Sequence, residues 1–151
     1  MYRDGIIAGL LGAAGVAVWF LVLDVIGGKP LLTPTILGVA VFRRRADADL
    51  LQTIPVSLEL VVMFTFAHIL VFVAIGVVTS LLLTVAGQHP GFVFGLLLLF
   101  VLESGFNAAA AVFAEPVLRM LSWPSVFVAN LLAAAAISGY FWLRRRAPSR
   151  R

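Results

Sequence analysis

The sequence predicts an all-α fold, a four-helix transmembrane bundle with a short interfacial or re-entrant helix after the first span. Three observations carry this reading. Hydrophobic residues make up 62% of the chain and charged residues only 12%, where a soluble domain has about 45–50% and about 25%. Long apolar runs at about 5–26, 55–86, 92–114 and 124–143 fill most of the sequence, and each reaches the ~20 residues a helix needs to cross the hydrocarbon core. The charges sit almost entirely between these runs, as they do when lipid is the solvent. The length suits one integral membrane domain over residues 1–151, with no room for a separate soluble domain.

The first run is longer than the apolar core of a cleavable signal and lacks an A-x-A-like site near its end, so it is expected to stay as a span. Gly5, Gly9, Ala13 and Ala17 recur every fourth residue and form a small-residue stripe on which another helix can pack closely. Asp24 falls in the last turn, within reach of the interface, and Gly27-Gly28-Lys29-Pro30 ends the helix. The next apolar stretch, 31–42, is too short to span. Thr33-Pro34 is a good helix start, with Thr as cap and Pro in the first turn. Arg43, Arg44 and Arg45 close the stretch, so it reads as a short helix pinned at headgroup level. The rival reading is a loop packed on the bundle.

The second span opens near Pro55, with Glu59 placed to favour the helix dipole. It exceeds the spanning minimum, so it should tilt or protrude. A turn over 87–91, containing His89, makes spans two and three antiparallel neighbours. The third span carries four alanines at 108–111 and ends at Glu115-Pro116. Trp123 stands where an interfacial aromatic belongs, Pro124 opens the fourth span, and Tyr140 with Trp142 forms a second belt before Arg144, Arg145 and Arg146.

Four spans put both termini on one side. The basic tail assigns that side to the cytoplasm of a bacterial inner membrane. Counting Lys and Arg then leaves a near tie, because Lys29, Arg43, Arg44, Arg45 and Arg119 fall on the far side. The net charge of +4 is read as topology signal and headgroup contact, not as a nucleic-acid surface, because no basic face exists apart from these flanks. Membrane lipids and other transmembrane helices are the expected partners, in a homo- or hetero-oligomer.

Polar side chains interrupt the spans, and these are the candidate functional residues. Glu103 lies near the middle of the third span, where an acid costs roughly 2.5–3.5 kcal/mol. It reads as a proton-relay carboxylate, a cation site, a partner for a quinone or pigment, or a neutral acid bonded to another helix. Asn107 is one turn further along the same face. Depth arithmetic about Arg119 sets Asn107 level with residue 131, one position from Asn130, so an Asn107–Asn130 bond would act as glue between helices. The same arithmetic about His89 sets His68 level with residue 110, about 10 Å in depth from Glu103 at about 1.5 Å per residue. His68 is either a proton shuttle or haem ligand, or a neutral histidine bonded to Asn107, Thr65 or a backbone carbonyl. The last reading is favoured.

With no cysteine, disulfides, iron–sulfur clusters and thiolate metal sites are excluded. A closed zinc site needs three or four converging ligands, which the pattern does not supply. No Walker loop, nucleophile elbow or paired catalytic carboxylates occur, so no enzyme activity and no particular cofactor is expected. Three functions follow in order: an accessory or structural subunit of a membrane complex or homo-oligomer; a small proton, cation or solute carrier using Glu103 with His68 and Asn107; and a module that binds a quinone, haem or lipid near His68.

Thr33-Pro34 with Leu37-Gly38 and Phe42, His68 with Phe72 and Gly76, and Asn130-Leu131-Leu132-Ala133 give the chain a resemblance to small four-span bacterial membrane proteins of unassigned function. The resemblance implies four spans and no activity.

Overall fold

A computed structural model describes residues 2–43, 55–85, Gly91, Gly95 and 123–146. Four helices organise them: α1 (Tyr2–Ile26), α2 (Leu32–Gly38), α3 (Leu58–Val85) and α4 (Trp123–Arg146). A π-helical turn, Val39–Arg43, continues α2. Segments Tyr2–Ile26, Leu58–Thr84 and Pro124–Arg146 are long and apolar enough to cross a membrane, with mean hydropathy 2.5, 2.6 and 1.8. Helices of this length and composition are those of a membrane-embedded protein, because a helix satisfies its own backbone in lipid. The span expected over 92–114 lies outside the described residues except for Gly95.

α1 is the central helix. Its stripe of small residues meets α3 backbone to backbone. A Cβ built on Gly5 would stand 2.7 Å from Val77 Cα, and one on Gly9 the same distance from Val73 Cα. Gly76 faces the gap between them, and a Cβ there would collide with the carbonyl of Gly5. Only glycine permits this approach, which maximises van der Waals contact where lipid supplies no hydrophobic drive. Ala13 is buried as expected, but Ala17, the fourth member of the stripe, is exposed.

These contacts run antiparallel, with Gly5 at Val77 and Ala13 at His68. α4 is antiparallel to α1 as well: Arg144 reaches Asp4, Ile137 packs on Gly12, and Trp19 bonds to Ser125. α3 and α4 are therefore parallel to each other. The chain leaves α3 at the end of the bundle that holds Tyr2 and Arg146, and enters α4 at the opposite end. The start of α1 and the end of α4 lie at the same end of the bundle, where Arg144 meets Asp4. Ala8, Ala134 and Ile137 form one core cluster, and Val16, Ala129 and Ala133 another, with Phe72 of α3 packed against both.

The end of α1 is a Schellman stop. Gly28 takes φ +71°, Lys29 N–H donates to the Asp24 carbonyl at 2.9 Å, and Gly28 N–H donates to the Val25 carbonyl at 3.0 Å. α2 then begins after Leu31, which is itself left-handed at φ 66° and offers no side-chain cap. Thr33 is thus not the cap residue; it sits one residue inside the helix. Its backbone N–H and its hydroxyl both donate to the Asp24 carboxylate, at 2.8 and 2.6 Å. The sequence rule finds the right helix and the wrong cap, because the capping oxygen comes from nine positions upstream.

The short helix expected after the first span is present and packs on the bundle. Residues Thr35–Ala40 are all buried, which leaves no polar face. Ile36, Leu37, Val39 and Ala40 cluster with Leu60 of α3. Gly38 lies so close that a Cβ there would be 2.9 Å from the Leu60 carbonyl oxygen. Arg43 ends the π turn and is exposed. Arg44 and Arg45 lie outside the described residues.

α3 begins at Leu58, three residues after Pro55, with Ser57 Oγ accepting from Leu60 N–H at 3.5 Å and Glu59 in the first turn. Its 28 residues exceed the spanning minimum, as expected.

Candidate functional site

His68 is the candidate that the structure describes most fully. It lies on the α3 face that meets α1, in register with Phe72 and Gly76 four and eight residues on. That spacing is one of the motifs carrying the sequence resemblance, and its structural meaning is a packing face. Gly76 admits the α1 backbone, Phe72 packs on Gly12, and His68 Nε2 donates to the Ala13 carbonyl at 3.2 Å. A carbonyl only accepts, so Nε2 carries the proton, and in the neutral ring Nδ1 is the acceptor. Phe64 and Phe72 flank the imidazole, with ring centroids at 5.8 and 4.7 Å. Of the bonding partners expected for His68, a backbone carbonyl is the one observed. Ala13 stands near the middle of α1, so this bond lies near mid-depth of the bundle.

Glu103 and Asn107, the other two residues of the expected polar path, lie outside the described residues, as does His89. Asn130 is half-buried in α4. Its proposed partner Asn107 is not among the described residues. Among the described residues, no group of three or more His, Cys, Asp or Glu side chains converges on a metal position.

Beyond Ala13 and His68, α1 and α3 part, and α2 enters between their ends. The three helices enclose a crevice of about 270 Å³. Val16, Ala17 and Leu21 of α1, Leu37 of α2, and Val61 and Phe64 of α3 supply apolar walls. Asp24 and Thr33 line it at the loop end, and Thr65 and His68 line it toward the middle of the bundle. The Asp24 carboxylate is buried and already holds Thr33. Sequence reasoning singled out His68 but not the crevice, because its walls come from three helices whose mutual placement leaves no local pattern.

A second, more polar recess of about 270 Å³ lies at the terminal end, lined by Asp4, Ser80, Thr84, Phe141, Arg144 and Arg145. Arg144 pairs with Asp4 at 3.0 Å, and Tyr140 donates to the same carboxylate oxygen at 3.3 Å. Tyr140 is therefore a link between α4 and α1, not only a belt residue. Trp142 is about half exposed, with the Arg146 guanidinium 3.8 Å above its ring, as a belt residue would be. Arg145 is exposed beside them. Trp123 opens α4.

No family model, curated protein or solved structure matches this chain.

Proposed function

We propose that this integral membrane protein is an accessory or structural subunit, associating through its helices with other transmembrane chains or with copies of itself. The observation that carries the reading is the outward face of α3. Among the described residues, only 6% of its apolar window is buried, against 28% for α1 and 22% for α4. Val62, Phe66 and Leu70 form a ridge of large side chains at four-residue spacing, between 60 and 71% exposed. Ridges at this spacing are what transmembrane helices interdigitate. The polar groups of the described bundle, by contrast, bond its own helices together: His68 to Ala13, Trp19 to Ser125 and Asp24 to Thr33.

The test is purification from the native membrane in nanodiscs, with mass spectrometry and native mass measurement. Stoichiometric partner chains, or a homo-oligomer weakened by Phe66→Ala, are expected. A monodisperse single chain overturns the reading. The proposal places both termini on the cytoplasmic side of the plasma membrane. Because the chain has no cysteine, Tyr2→Cys and Ser149→Cys should resist a membrane-impermeant maleimide in intact cells and react in inverted vesicles.

A further inference from the structure

We infer that the crevice between α1, α2 and α3 is a binding site for a lipophilic ring that carries a hydroxyl, such as the head of a membrane phenol or quinol. Size is the first argument. The crevice measures about 270 Å³, whereas an apolar cavity of roughly 150 Å³ already takes a benzene ring. A substituted ring fits, and a porphyrin does not. Wall chemistry is the second. The sides are aliphatic with Phe64 among them, so the occupant is apolar over most of its surface.

Polarity is the third argument, and it selects the hydroxyl. His68 lines the crevice and has its Nε2 proton committed to Ala13. The neutral ring therefore has an acceptor to offer and no second donor, so it pairs with an O–H group rather than with a carbonyl. Phe64 and Phe72 hold the imidazole plane, which lowers the cost of ordering it on binding. The Asp24 carboxylate at the other end already holds Thr33, and toward the middle of the bundle His68 is joined by the Thr65 hydroxyl, which can pair with the same O–H group. Access is along the bundle's side: Ala17, Val18 and Leu21 line the crevice and are exposed on α1.

The test uses 4-pentylphenol and pentylbenzene, which share a ring and chain and differ by the hydroxyl. Saturable binding to the full chain in nanodiscs is measured by saturation-transfer NMR and competition, with empty nanodiscs subtracted. The phenol should bind about tenfold more tightly than pentylbenzene, the value of one buried hydrogen bond. His68→Phe keeps an aromatic ring and removes the acceptor, and should bring the two ligands within about threefold of each other. Ala17→Trp fills the crevice from its exposed side and should abolish saturable binding of both while helicity and elution volume stay unchanged. This second variant decides the matter if His68→Phe does not fold. Equal affinity of the two ligands for the unaltered protein, non-saturable partitioning alone, or unchanged binding in Ala17→Trp overturns the assignment. None of these outcomes depends on whether the chain has partner subunits.

Discussion

α1 and α3 meet in two different ways along their length. In the half that contains Gly5, Gly9 and Gly76 the backbones touch and no methyl group fits. In the half beyond Ala13 and His68 the same helices diverge, a third short helix enters, and a crevice remains. The difference follows from side-chain size. Glycines end on the α1 side of the contact at Gly12, and the residues that follow, Val16 and Phe20, are larger and line the crevice. Two straight helices that touch closely at one end and carry large side chains at the other must splay. The chain places α2 in the gap, and its residues Thr35–Gly38 are buried although the helix is too short to span.

Breaking the tight half should have the largest effect. Gly9→Leu forces a side chain into the α3 backbone, where no flexible neighbour can move aside. Overpacking in cores costs about 1–3 kcal/mol and more where backbone must shift, so a loss of about 3 kcal/mol is expected. Gly15→Leu is the control, because a Cβ at Gly15 meets nothing within 4 Å. Unfolding by SDS titration in mixed micelles reads both. Equal tolerance of the two substitutions would show that the close crossing does not hold the bundle.

The open half depends on the Asp24–Thr33 link, which fixes α2 to the end of α1. Asp24→Ala leaves the Thr33 N–H without its partner near the helix start and should cost about 1–3 kcal/mol. Asp24→Asn retains an acceptor oxygen and should recover most of that. The sharper readout is local: hydrogen exchange of the α2 amides should accelerate while those around Gly9 stay protected. Uniform acceleration would mean that the two halves open as one unit.

This contrast also marks what could be read from the sequence. Spacing alone gave the spans of α1, α3 and α4 to within a few residues and the stripe at Gly5, Gly9 and Ala13. Both depend on local periodicity, which a helix preserves. Ala17 belongs to the same stripe yet faces outward, because spacing records which face a residue occupies and not where the neighbouring helix turns away. The short helix was legible from Thr33-Pro34, but its cap was not, since Asp24 acts across the left-handed glycine stop at Gly28 and the left-handed Leu31. A backbone carbonyl was among the partners expected for His68; that it belongs to Ala13 has no side-chain signal. The crevice had none either.

The contact between α1 and α4 is intermediate in kind, joined along its length by small residues, Ile137 and one indole bond, and at the terminal end by the Asp4 clasp. Trp19→Phe keeps most of the ring area and removes the 3.0 Å donation from Nε1 to the Ser125 carbonyl. Such bonds between membrane helices are worth about 0.6 kcal/mol on average, so a loss near that value is expected from the same SDS titration. A loss several times larger would show that the indole packing, and not the bond, aligns α4 on α1.

The smallest effect belongs to the terminal clasp of Arg144 and Asp4. The pair is 3.0 Å apart, but the arginine side chain is 57% exposed. Water and salt screen such a pair, and exposed ion pairs contribute roughly 0.2–1 kcal/mol. Arg144→Ala should therefore cost at most a few tenths of a kcal/mol at 0.15 M salt and less at 1 M. Tyr140 donates to Asp4 and accepts from Arg144, each at 3.3 Å; because Asp4 is the more buried partner, at 20% exposure, Asp4→Ala should cost more than Arg144→Ala, and the excess should survive high salt. A salt-sensitive loss of equal size in both variants would assign the clasp to charge alone and leave the tyrosine without a role in joining α4 to α1.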